Sequence, residues 1–209
     1  ILRFHAAFWP AMLLSANLPL PKTLLAHGFL KLNWAKMSKS TGNVLDSEKV
    51  VDQYWRDPFV FDLLYNVSLN ADWDFTMDRL NWVYNSMLIW AWGNLVNRVV
   101  SLCNKYWITE WKADWEMVEE FQKFFDTIEP RFVQNFDIQW YLQEWYRLVQ
   151  KANEFITNAE PRKKWKDEAT KDEAVKDLQL LLYIIKNLAL LSAPILTQGF
   201  EKLKNILWI

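Results

Sequence analysis

The chain of 209 residues carries 24 Lys and Arg against 25 Asp and Glu, a net charge of −1, which excludes nucleic-acid binding driven by overall basicity and leaves any such binding to local groups. Its 52% hydrophobic content suffices for one sizeable core, or for a helical domain with a smaller appendage. The single cysteine, Cys103, cannot form an internal disulfide, and no Cys and His cluster has metal-ligand spacing, so a reducing, cytoplasmic setting without a zinc site is expected.

The first residue is Ile1, and "ILRFHAAFWPAML" has neither the basic start nor the apolar stretch of a signal peptide, so an internal segment of a longer protein is expected. A short helical pattern ends near Asn17. A proline-punctuated stretch follows, and the apolar end of "PLPKTLLAHGFLKL" reads as a buried strand closing an α/β unit. From Asp46 onward nearly everything reads as helix. Asp46 and Ser47 are capping residues ahead of "EKVVDQY", and Thr76 caps a long helix predicted over 77–106.

Further helices are predicted over 113–129, 137–158, 167–192 and 195–207, with Pro130, Pro161 and Pro194 marking the breaks. Ala174, Leu178, Leu181, Ile185 and Leu188 form one apolar stripe on the helix over 167–192. The apolar run from Leu178 is interrupted by Gln179, Lys186 and Asn187, which argues for a buried helix and against a membrane span. The expected fold class is mainly α: the end of an α/β domain followed by a helix bundle.

Between the two parts lies "NWAKMSKSTGN", residues 33–43. A loop of this composition can place the ammonium groups of Lys36 and Lys39 on a polyphosphate. Ser38 and Ser40 add hydroxyl donors, and Met37 packs beneath as an apolar anchor. Such a loop stabilises charge that develops during attack at an α-phosphate. On the residues alone, a polar surface loop is the competing account.

"KMSKS" at residues 36–40 is the signature loop of the class I aminoacyl-tRNA synthetases, and "ILRFHAAFWPAMLLSANLPLPKTLLAHGFLKLNWAKMSKSTGNVLD" resembles the methionyl-tRNA synthetase family across its length. The resemblance continues through "YWRDPFVFDLLYNVSLNADWDFT" and "WGNLVNRVVSL", and more weakly to the C-terminus. It implies a remnant of a Rossmann-like catalytic domain over 1–45, linking stem-contact helices over 46–75, and an anticodon-binding helix bundle over 76–209. The implied activity is ATP-dependent attachment of methionine to tRNA(Met), with Mg²⁺ accompanying ATP. The remainder of the synthetase, including its His-Ile-Gly-His element, would lie upstream, so this segment alone is expected to be inactive.

Carried over residue by residue, the resemblance implies that Phe4, His5 and Trp9 line the methionine pocket. His27 and Gly28 would lie on the nucleotide side, and Lys36 and Lys39 would hold the pyrophosphate portion of ATP together with Met37, Ser38 and Ser40. Asn94 and Arg98, four residues apart on one helix face, would read the anticodon. Family members commonly place an aromatic after a proline at the third anticodon contact; here Pro161 is followed by Arg162, with Trp165 the nearest aromatic, and either can stack on a base. Two alternatives stay open: a non-catalytic tRNA-binding module, and a class I synthetase for leucine, isoleucine, valine or cysteine.

Tryptophan numbers 14 and glycine only 4. Trp34, Trp55, Trp73, Trp107, Trp111, Trp115 and Trp208 sit in turn or helix-end contexts where glycine is the natural choice, because glycine takes positive φ without a Cβ penalty. At Trp34, Trp55 and Trp73 the family typically has glycine. The expectation is that many of these positions use a codon read as glycine by the source organism, with Trp82, Trp90 and Trp140 less certain members.

Overall fold

A computed structural model describes residues 1–66, 71–112 and 115–207. The chain divides into two compact units, Ile1–Val44 with Val67–Phe75, and Leu45–Asn66 with Thr76–Ile209. The division is therefore not a single cut in the sequence.

In the first unit a wide π-type helical turn, Phe4–Phe8, leads into α1 (Trp9–Ser15), the change of hydrogen-bond pattern falling next to Pro10, which has no N–H to continue an α-helical ladder. A three-stranded sheet follows, in the order β2-β1-β3. Strand β1 (Leu30–Leu32) runs antiparallel to β2 (Ala35–Lys36), with Lys31 opposite Lys36 and Leu32 opposite Ala35. It runs parallel to β3 (Trp73–Phe75). The stretch expected as a buried strand is β1, yet all three of its residues are only half-buried. The buried strand is β3, whose three residues are too few to display a period in sequence.

The second unit is helical. Asp46 caps α2 (Ser47–Tyr54) by accepting the Lys49 N–H, and Thr76 caps α4 (Met77–Trp82) by accepting the Arg79 N–H, as the sequence suggested. Between them runs α3 (Arg56–Asn66). The long helix over 77–106 is continuous in path but not in hydrogen bonding: α4 passes into π-type turns over Val83–Gly93 and then into α5 (Asn94–Tyr106). Val83, Met87 and Trp92, the buried residues of that middle stretch, are four and five apart, a wider spacing than an α-helical face uses.

Helix α6 (Trp115–Thr127) ends before Pro130, and a π-type segment, Ile128–Gln134, carries the chain through the proline, which has no N–H to continue an α-helical ladder. The centre of the core is α7 (Ile138–Ala159) packed on α9 (Lys171–Ser192). Trp145 is fully buried there and its indole N–H donates to the Leu188 carbonyl at 2.9 Å. Every residue of the predicted stripe from Ala174 to Leu188 is at 0% exposure, and each large aliphatic side chain so buried stabilises the fold by about 1.5–3 kcal/mol. Helix α9 starts at Lys171, later than the predicted 167, because Asp167 folds back to accept the Ala169 N–H and Thr170 Oγ1 donates to the Lys164 carbonyl. The short α8 (Pro161–Lys164) precedes it, and α10 (Thr197–Leu207) closes the unit.

Candidate functional site

The lysine loop grows out of the β1–β2 hairpin. After β2 the chain forms one 3₁₀ turn, Lys39–Thr41, closed by Gly42 at φ +71°. The Ser38 N–H donates to the Asn43 carbonyl at 2.9 Å, and the Asn43 amide reaches back to the carbonyls of Leu32 (3.1 Å) and Lys36 (3.3 Å). Asn43 thus ties the far end of the loop to both strands of the hairpin. The Ser38 and Ser40 hydroxyls pair at 2.8 Å. Lys36 and Lys39 are exposed while Met37 is half-buried, so the ammonium groups extend from a loop whose backbone is anchored. Neither lysine forms an ion pair among the described residues.

His27 is exposed, with Nδ1 2.8 Å from the Gly28 carbonyl. Gly28 is required by packing: a Cβ there would stand 2.0 Å from the Ala71 carbonyl oxygen. The Phe29 N–H donates to Asp72, and Lys31 pairs with the same carboxylate at 2.8 Å. The Lys31 ammonium, followed by the Phe29 N–H, holds the Asp72 carboxyl below its ordinary range.

Phe4, His5 and Trp9 come together, with Phe8 and Met12, around a cavity of about 490 Å³. Phe4 and Phe8 pack at 5.4 Å between ring centroids, and His5 Nδ1 lies 3.1 Å from the Ile1 carbonyl. The lining is apolar apart from the imidazole, and Phe4, Phe8 and Met12 are each more than half exposed.

On the bundle, Arg98 and Arg162 line one groove of about 620 Å³ between α5, the end of α7 and α8. Asn97, Ser101, Lys163 and Lys166 share it. The corner that closes the groove is Glu160, at φ +45°, ψ +50°, where α7 stops and Pro161 starts α8. Glu160 pairs with Lys163 at 3.0 Å, leaving Arg98, Arg162 and Lys166 to give the groove a positive balance. Asn94 is exposed on α5 outside this lining, and Trp165 is also outside it, stacked on Tyr106. The groove residues that sequence reasoning missed are Asn97, Ser101, Lys163 and Lys166. The basic run "PRKKWK" after Pro161 was the available signal for two of them.

Among the described residues no group of three or more His, Cys, Asp or Glu is placed to hold a metal ion, and no helix is long and apolar enough to cross a membrane. Residues 1–100 match the family model described as "tRNA synthetases class I (M)". The particular relatives are methionine–tRNA ligases. That of Streptococcus pneumoniae serotype 4 is 32% identical over 222 residues, covering 99% of this chain and 33% of the ligase. That of Campylobacter jejuni is 34% identical, covering 97% of this chain and 33% of the ligase. Among solved structures, Mycobacterium tuberculosis methionyl-tRNA synthetase in complex with methionyl-adenylate superposes with a TM-score of 0.83 at 27% identity, over 97% of this chain and 41% of that one. The chain is thus homologous to methionine–tRNA ligases over essentially its whole length, and spans about a third of theirs.

Proposed function

We propose that the chain is the part of a methionine–tRNA ligase that supplies the signature loop and the anticodon-reading surface. The whole enzyme would activate methionine with ATP and transfer it to tRNA(Met). The observation that carries this reading is the anchored loop: Lys36 and Lys39 project from a hairpin whose far end is bound back by Asn43. In the first step a methionine carboxylate oxygen attacks the α-phosphorus of ATP and pyrophosphate leaves. Lys36 and Lys39 stabilise the charge that gathers on the departing β- and γ-phosphates, with Mg²⁺ accompanying the nucleotide as part of the substrate. In the second step a hydroxyl of the terminal tRNA ribose attacks the acyl carbon and AMP leaves.

Phe4, His5 and Trp9 would hold the methionine side chain, and His27 with Gly28 would face the nucleotide. The groove of Arg98 and Arg162 would receive the anticodon. Guanidinium groups both stack on unpaired bases and contact phosphate, which suits the single-stranded loop of a tRNA. The test uses the full-length ligase. Arg98→Ala and Arg162→Ala are each expected to lower kcat/KM for charging tRNA(Met) by about 10- to 100-fold while leaving ATP–pyrophosphate exchange unchanged. Normal charging by both variants would remove the groove from tRNA recognition.

A further inference from the structure

Among the described residues seven non-glycine positions have positive φ, and three of them are tryptophan: Trp34 at +58°, Trp55 at +68° and Trp107 at +58°. Asn17 and Asn33 are of the type that tolerates this region, and Phe136 and Glu160 complete the set. Tryptophan supplies only 14 of 209 residues, so its share of these backbone positions is out of proportion.

Each of the three sites calls for glycine on its own geometry. Asn33 and Trp34 are the two central residues of the β1–β2 hairpin, both with φ above zero, which is the requirement of a type I′ turn; Asn-Gly is the strongest sequence for that turn. Trp55 closes α2 at φ +68°, ψ +170°, a region open essentially to glycine alone. Trp107 closes α5 at φ +58°, ψ +34°, the left-handed cap that glycine usually fills. Where the chain does carry glycine at such a cap, at Gly42, φ is +71°.

In all three cases the structure uses the backbone and leaves the side chain outside. The Trp34 N–H donates to Asp74 at 2.6 Å, the Trp55 N–H to Val51, and the Trp107 N–H to Cys103. The side chains are among the most exposed apolar groups of the protein, with Trp34 at 74%, Trp55 at 58% and Trp107 at 88%. Trp55 does lie under the Lys202 ammonium at 3.9 Å, an exposed cation–π contact that offsets little of its backbone strain. Trp145 is the opposite case, buried at 0% with its indole N–H bonded. Trp73 also differs, since it is a buried strand residue with no positive φ.

We propose that positions 34, 55 and 107 are glycine in the protein as its own cell makes it, their shared codon being decoded there as glycine, while the codon at position 145 is decoded as tryptophan. This holds whether or not the ligase assignment does. The experiment is tandem mass spectrometry of peptides from the protein purified from the organism that carries the gene. Glycine at all three positions with tryptophan at 145 is the expected result, and tryptophan at any of the three overturns it. The gene provides a second reading: positions 34, 55 and 107 share a codon that positions 145 and 165 do not use, and one codon common to all five would overturn the proposal.

Discussion

Trp165 lies face to face with Tyr106, ring centroids 4.0 Å apart and planes 17° apart. The stack fastens the turn after α8 to the last residue of α5, and Lys171 sits 5.7 Å from the same indole. One face of the indole is thereby committed to the packing of the bundle. Trp165→Ala is expected to destabilise the protein by about 3 kcal/mol, measured by urea unfolding. Arg162, exposed at the groove, is expected to change stability by no more than about 0.5 kcal/mol on substitution by alanine. Equal stability losses in the two variants would show that Arg162 is also structural.

Asp57 is buried on α3 and accepts the Gly199 N–H of α10 at 2.7 Å, with Arg56 bridging to Thr197 Oγ1 at 2.8 Å and to the Ile195 carbonyl at 3.2 Å. A carboxylate from a distant helix thus serves as the N-terminal cap of α10. Asp57→Ala is expected to cost about 2 kcal/mol and to raise hydrogen exchange first at the amides of the opening turn of α10. Exchange that rises uniformly across the bundle would argue against a local cap.

Asp62 has no exposed surface, and burial pushes its carboxyl above the ordinary range although Arg79 and Asn66 pull the other way. Its Oδ1 lies 3.5 Å from Arg79 Nε and accepts from the Asn66 amide at 2.8 Å. A raised folded-state value means that the folded protein binds the proton more tightly than the unfolded chain does. The resulting stabilisation is complete below about pH 3.9, the unfolded value, and is lost as pH rises through the higher folded value. Asp62→Asn is therefore expected to flatten the fall in urea midpoint with rising pH; an unchanged slope would remove Asp62 as its source.

Cys103 is 2% exposed, and burial pushes its thiol up to about 11. Because the thiolate is the reactive form, the folded protein is expected to resist iodoacetamide at neutral pH and to react fully only after denaturation, as read by intact mass. Rapid alkylation of the folded protein would mean that α5 opens readily from α9.

The loop was legible in sequence because its chemistry is contiguous: five adjacent residues carry the lysines, the serines and the apolar anchor. The groove was legible only in part. Helical spacing places Asn94 and Arg98 on one face, but the groove edge runs through Asn97, Arg98 and Ser101, and it is completed by residues about sixty positions later. What brings them together is the left-handed corner at Glu160, and no local pattern marks a glutamate for that conformation. The π-type turns over Val83–Gly93 escaped for a related reason, since an apolar stretch with few polar residues gives no face from which to count a period. Nothing in the sequence marks Asn43 beyond its place at the end of the loop, although its side-chain amide is the group that fixes it.

The role proposed for the anchored lysine loop is to act on the departing phosphates and not on methionine binding. The most direct measurement is ATP–pyrophosphate exchange by full-length ligase carrying Lys39→Ala, with methionine affinity determined in parallel. A fall in exchange of about 100- to 1,000-fold with methionine affinity changed by less than about 3-fold is the predicted result. Comparable losses in exchange and in methionine affinity would contradict it.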